Sequence, residues 1–212
     1  MDMSSVSKKI PIGLVALLAA GLCFPEMQVH AQIYIHASYD YSIPSDGTRD
    51  YIKQGSVRGG SFELGYRFSN RISGGLKAGT HAFYEALEKD TYIEDNLTIY
   101  GKQFRYLTSF PAMVLFRFNL TDRESRIIPY LRMGAGACYV QKRTDIGLYT
   151  LLADNQWVFG LQPEAGLLIP LGRTIGISTG ASYNQTFGNR SIGDQQYFGI
   201  HLGLMVRNLG RQ

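Results

Sequence analysis

From residue 33 onward, apolar and polar side chains alternate with a period of two, as in strands whose successive residues face opposite ways. The first run sets Ile33, Ile35, Ala37, Tyr39, Tyr41 and Ile43 against Tyr34, His36, Ser38, Asp40 and Ser42. Seven more runs follow, at about 57–68, 72–84, 99–118, 127–140, 157–170, 174–187 and 196–209. In the second, Phe62, Leu64, Tyr66 and Phe68 oppose Ser61, Glu63, Gly65 and Arg67. In the third, Leu76, Ala78 and Tyr84 oppose Gly75, Lys77 and His81. The fourth places Phe104, Phe110, Phe116 and Phe118 opposite Gln103, Arg105, Ser109 and Arg117. Leu107, Met113 and Leu115 intrude on its polar face. In the last, Phe198, Ile200, Leu202, Leu204 and Val206 oppose Tyr197, Gly199, His201 and Gly203.

The bulky face is continuous, and the other is glycine, serine and charge. A soluble barrel needs its bulky residues inside. Eight strands enclose room only for side chains, so the small and ionic face suits the lumen and the bulky face suits lipid. The pattern predicts an all-β fold, an eight-stranded antiparallel up-and-down transmembrane β-barrel. Closure leaves no strand edge to expose unsatisfied amides to hydrocarbon. Long connections at 44–56, 85–98, 141–156 and 188–195 alternate with short ones at 69–71, 119–126 and 171–173. Extracellular loops and periplasmic turns alternate in this way. Pro111, Pro129, Pro163 and Pro170 are expected at bulges or strand ends.

The first residues read differently. Lys8 and Lys9 precede an apolar run from Ile10 to Phe24, too short to span a bilayer, and Val29-His30-Ala31 offers small residues for cleavage. The expected organisation is a cleavable signal peptide at 1–31 and a barrel domain at 32–212. Acylation of Cys23 is the lesser alternative. Once Cys23 is removed Cys138 stands alone, and no internal disulfide is expected.

Composition adds limits. The chain has 212 residues, 45% hydrophobic and 18% charged, with 24 Gly and 14 Tyr, which suits one β domain. A mean hydropathy of −0.09 does not argue against a membrane barrel, because alternation cancels in the average. The formal charge of +4 is dispersed along the chain, so no nucleic-acid surface is expected.

A hairpin centred on Asn70 makes Glu63 and Lys77 cross-strand partners, and Arg132 and Glu164 fall at similar depth on neighbouring strands. An unpaired charge in a narrow dry lumen is very costly. These four residues are therefore expected to form two structural ion pairs that plug the barrel. Two sharper readings compete. Glu164 beside Arg132 has the makings of a catalytic acid, and His36-Ala37-Ser38 puts a base and a hydroxyl on one face. Both groups face inward with other polar residues, so no catalytic residue and no enzyme activity are expected. The acidic stretch 85–98 lacks the spacing of a calcium loop, and no metal, cofactor or cofactor-binding residue is expected.

Pro129-Tyr130-Leu131-Arg132-Met133-Gly134-Ala135-Gly136, Gly160-Leu161-Gln162-Pro163-Glu164-Ala165-Gly166 and Tyr197-Phe198-Gly199-Ile200-His201-Leu202-Gly203 resemble the OmpA/OmpX-like outer membrane β-barrel families of Gram-negative bacteria. More narrowly, they look like the small outer membrane β-barrel domain proteins of Bacteroidetes. The resemblance covers the whole chain after the signal. It implies an outer membrane location, outer membrane lipid as a partner, and a structural or adhesive role. An extracellular ligand or host surface would then be met through 44–56, 85–98 and 141–156. A narrow channel for small solutes is the alternative, and an outer membrane lipid-modifying hydrolase a lesser one.

Overall fold

The structure is a computed structural model, and it describes residues 32–94, 97–122, 125–147, 149–172, 174–189 and 192–207. The expected signal peptide at 1–31, with Cys23, lies outside these residues. Eight strands run β1 Gln32–Ser45, β2 Ser56–Arg67, β3 Ile72–Glu94, β4 Leu97–Asn119, β5 Ile128–Ile146, β6 Tyr149–Pro170, β7 Ile175–Phe187 and β8 Gln195–Arg207. A short helix, α1, spans Asp46–Tyr51 between β1 and β2. Every sequential pair is antiparallel and β8 returns to β1, so the barrel is closed.

The direction of the side chains decides what kind of barrel this is. Phe116, Leu202 and Leu204 are 52%, 63% and 56% exposed on the outer surface. Ile33, Ile35, Leu64, Leu76, Val114 and Ile200 join them, while His36, Glu63, Lys77, Arg132 and Glu164 are buried in the lumen. An outer surface this apolar is stable against acyl chains and not against water. The fold is thus the expected eight-stranded transmembrane barrel.

Three features depart from the sequence reading. First, 85–98 and 141–156 are largely strand, not loop. The β3–β4 ladder continues until Glu94 faces Leu97, and β5–β6 until Ile146 faces Tyr149. Strands need only about 9–11 residues to cross a bilayer, whereas β3 and β4 have 23 each. Their ladders therefore extend past the membrane, pairing backbone amides that loops would leave to water. Second, the segment 44–56, expected as a connection, holds the short helix α1. Third, Pro111 and Pro163 lie inside strands. The register is unchanged on either side of Pro111, with Ala78 facing Ala112 and His81 facing Ser109. The register shifts in β1, β3 and β5–β6 occur elsewhere, at Asp40/Ser42, Leu87/Lys89 and Thr144/Asp145.

Candidate functional site

The lumen is layered along the barrel axis. At the end carrying the strand termini Gln32 and Arg207, Tyr34, Ile128, Tyr130, Leu168 and Met205 form a buried apolar cluster. Above it lies a layer of charge. Beyond that, Phe83, Leu107, Met113, Leu115, Cys138, Val140, Val158 and Tyr197 form a second apolar cluster. Leu107, Met113 and Leu115, which break the alternation of β4, have a place here: they point inward and fill the lumen. A sequence reading that expects a uniformly polar interior has as its signal for this plug only such breaks in period, which recur at Phe83, Val140 and Val158 on their own strands.

The charge layer is built around Arg132. Its guanidinium donates to Glu63 Oε2 at 2.5 Å and also to Glu164 Oε2 on the neighbouring strand. Arg132 and Glu164 are directly opposed on β5 and β6. Arg117, directly opposed to Arg132 on β4, donates to both oxygens of Glu63 at 3.4 Å. The Tyr34 hydroxyl donates to Glu63 Oε1 at 2.6 Å, and the Tyr130 hydroxyl donates to Glu164 Oε1 at 2.9 Å. The Arg117 guanidinium also lies over the Tyr34 and Tyr130 rings, at 5.3 and 4.6 Å. Two adjacent arginines and two carboxylates are thereby balanced in one network, which a low-dielectric lumen requires.

Glycine makes this geometry accessible. A Cβ at Gly65 would stand 2.0 Å from Tyr34 Cζ, and one at Gly166 would stand 2.5 Å from the Tyr130 hydroxyl and 2.6 Å from the Thr179 carbonyl oxygen. Those two positions leave each phenol room beside the wall to reach its carboxylate.

Of the four residues singled out by sequence, Glu63 and Lys77 are opposed in register, but they are not hydrogen-bonded to each other. Lys77 Nζ donates to Gln162 Oε1 at 3.1 Å. Glu63 instead turns toward the guanidinium groups across the lumen, whose planar forked donors match a carboxylate better than a single ammonium. Two separate pairs are replaced by a shared network with Arg132 at its centre. Arg117, Tyr34 and Tyr130 join it. Arg117 was legible as an inward charge, but its partner was not, because that contact crosses the lumen between strands that are not neighbours.

His36 and Ser38 do not act together. Ser38 donates to Asp40 and meets Ser61, while His36 Nε2 lies 2.6 Å from Ser178 Oγ and its Nδ1 lies 3.4 Å from Glu63. Ser178, His36 and Glu63 thus have the bonding order of a hydrolytic triad. All three are buried, at 0%, 1% and 1% exposure, and the Cβ that Gly203 lacks would strike His36 Nε2. Acyl transfer needs a reachable position about 3 Å from the hydroxyl for the reacting carbon, and all three groups here are closed off from the outer surface.

At the hairpin end, the β1–β2 connection folds over the mouth. Ile52 is wholly buried in the upper apolar cluster. The Tyr51 hydroxyl donates to the Arg143 carbonyl at 2.7 Å, and its ring lies under Lys142 at 4.3 Å and Arg105 at 5.4 Å. Burial pushes the Tyr51 phenol above its ordinary pKa. Thr48 Oγ1 donates to Gln195 at 3.0 Å and accepts from the Gln196 amide at 2.8 Å, tying α1 to β8.

Comparison with solved structures places this architecture. A major outer membrane protein from Thermus thermophilus is 9% identical and superposes with a TM-score of 0.55, over 84% of this chain and 99% of that one. The chain is a β-barrel of the outer membrane type. The Escherichia coli outer membrane protein W is 14% identical with a TM-score of 0.49, over 86% and 100% of the two chains. Ail, the attachment invasion locus protein of Yersinia pestis, is 14% identical with a TM-score of 0.45, over 84% and 97%, in complex with the heparin analogue sucrose octasulfate. No family model and no curated protein matches the sequence. The membrane barrel therefore stands on fold and surface chemistry, and the narrower Bacteroidetes assignment has no such support.

Proposed function

We propose that this protein is an integral outer membrane barrel of a Gram-negative bacterium, exported by the segment 1–31. In this reading its lumen is plugged by ion pairs and it serves a structural or adhesive role, without enzymatic activity. With an even strand count both termini lie on the periplasmic side, so α1 and the tall β3–β4 and β5–β6 hairpins stand outside the cell. The observation that carries this reading is the filled lumen. The Arg132 network, the Phe83–Leu107–Met113 cluster and Ile52 succeed one another along the axis. A transported solute would have to break each in turn. What remains to act is the outer rim, where Glu88, Lys89, Asp90, Lys102 and Arg143 are exposed on the two hairpins. A host surface or extracellular ligand would meet those charges.

A narrow channel is the second reading. Asp40 Oδ2, His81 Nε2, Ser109 Oγ and Asn184 Oδ1 are buried without a protein partner, which favours water in part of the lumen. Conductance of the purified protein in planar bilayers separates the two. The plugged reading expects no steady current. A stable small-ion current that rises on replacing Ile52 by alanine would establish the channel instead.

A further inference from the structure

Strands β3 to β6 rise above the rest of the wall, and the outermost two lose a neighbour as they do. The β2–β3 ladder ends where Gly59 faces His81, and the β6–β7 ladder ends where Phe159 faces Phe187. Above those pairs β3 continues to Glu94, and β6 comes down from Tyr149. Each therefore carries a row of backbone N–H and C=O groups with no strand beside it among the described residues. Such an edge is a template for another strand.

The two edges are not alike. Beyond His81, β3 is guarded. Ser56 Oγ donates to the Ala82 carbonyl, the Lys53 amide donates to the Glu85 carboxylate at 3.0 Å, and the Arg58 guanidinium lies 5.9 Å from the Tyr84 ring centre. Further out the strand carries Glu88, Lys89 and Asp90, with a register shift at Leu87/Lys89. Charge and bulges are the devices by which edge strands avoid pairing. A shorter edge on β4, above the pair of Gln103 and Ile146, is met by the Gly147 amide, which donates to the Lys102 carbonyl at 3.4 Å.

Over 152–158, β6 lacks those devices. Its pairing with β5 is regular there, from Leu152 facing Thr144 to Val158 facing Cys138. The stretch has one charge, Asp154, and no proline. The β7–β8 connection turns away from it. The Gly193 amide donates to the Asn189 carbonyl at 2.7 Å, the Gly188 amide donates to the Asp194 carboxylate at 3.0 Å, and Ile192 is buried in the upper apolar cluster. An added strand would stand where β7 would continue above that turn.

Symmetry and charge narrow the occupant. A second copy in the same membrane has a parallel axis, so a two-fold axis along the membrane normal sets β6 beside β6 at equal height, with N–H facing N–H. Charge does not select the partner either, because Lys142 faces Asp154 and Asp145 holds Arg143 at 2.9 Å. What is left to recognise a partner is the main chain.

We propose that 152–158 of β6 captures an extended, weakly charged segment of an extracellular protein by strand addition. This deepens the adhesive reading and rests on the hairpins standing outside the cell. Alternate residues of β6 face the edge, each offering a donor and an acceptor. Backbone bonds of this kind supply affinity with little demand on the partner's sequence.

The probe is a soluble peptide of alternating threonine and valine with a lysine at each end, added to the purified protein in nanodiscs. Fluorescence anisotropy should show saturable binding, about tenfold tighter than for the same peptide N-methylated at every residue. Deuterium exchange of the fast amides within 152–158 should slow about tenfold at saturation, while 82–94 is unchanged. Ala153→Lys with Asn155→Lys, which charges the edge, should weaken binding. Heat-modifiable gel mobility reports folding of that variant, and the exchange measurement, which needs no variant, carries the test if it does not fold. Absence of saturable binding, equal binding of both peptides, or protection at 82–94 in place of 152–158 overturns strand addition at β6. Clumping of vesicles by the protein alone, without peptide binding, overturns the foreign segment in favour of a copy in a facing membrane. Both faces of a nanodisc are open to solvent, so failure there leaves the outward placement of the hairpins standing. That placement fails separately if Lys89→Cys, on cells expressing the protein, is not labelled by a membrane-impermeant maleimide.

Discussion

Replacing Arg132 by methionine removes the one group that bonds both interior glutamates. Glu63 and Glu164 are each almost fully buried, so each loses its nearest cation with no access to water. Removing one partner of a buried pair costs about 3–5 kcal/mol, because the remaining charge is uncompensated. Glu63 keeps Arg117 at 3.4 Å and Tyr34 at 2.6 Å. Glu164 keeps the Tyr130 hydroxyl at 2.9 Å and His201 at 3.8 Å, with no second guanidinium among the described residues within ion-pair distance. Most of the loss should therefore arise at Glu164. Glu164→Gln added to Arg132→Met should restore more stability than Glu63→Gln does, with a coupling of about 1–3 kcal/mol in a double-mutant cycle. Urea unfolding in lipid vesicles measures this through the single tryptophan, Trp157, on the lipid side of β6. The reasoning is refuted if Arg132→Met costs less than about 1 kcal/mol, or if the losses of Arg132→Met and Glu164→Gln simply add.

Other outcomes follow from the same structure. Leu202→Lys, on the outer face of β8, should destabilise the barrel in lipid by about 2–4 kcal/mol if it sits near the midplane; unchanged urea midpoints would contradict a lipid-facing surface. Gly65→Ala should cost about 1–3 kcal/mol by forcing a methyl into the Tyr34 ring, seen as a lower unfolding midpoint. A wild-type midpoint would mean that the ring is free to move aside.

Much of this barrel was readable because lipid imposes a simple rule. Strands in hydrocarbon must present apolar side chains outward at every second position, and a narrow lumen must hold small or compensated ones. That rule alone marks Leu202 as outward and Glu63 as inward, and counting from the turn at Asn70 puts Glu63 opposite Lys77. It fails where water replaces lipid. Beyond the membrane no constraint separates a tall hairpin from a loop, so 85–94 reads as loop although it is strand. It fails also inside the lumen, where Leu107, Met113 and Leu115 look like errors of pattern.

Alternation by itself thus determined strand number and which face meets lipid, and the short turn at Asn70 set the register of β2 against β3. All of these are relations between residues close in sequence or joined by a short turn. Closure of the sheet decided the rest. It brought Glu63 of β2 to Arg117 of β4 and Arg132 of β5, set His36 of β1 against Ser178 of β7, and folded Ile52 into the mouth. Those contacts span the lumen between non-adjacent strands, and their choice depends on the three-dimensional reach of arginine, tyrosine and glycine within a closed wall.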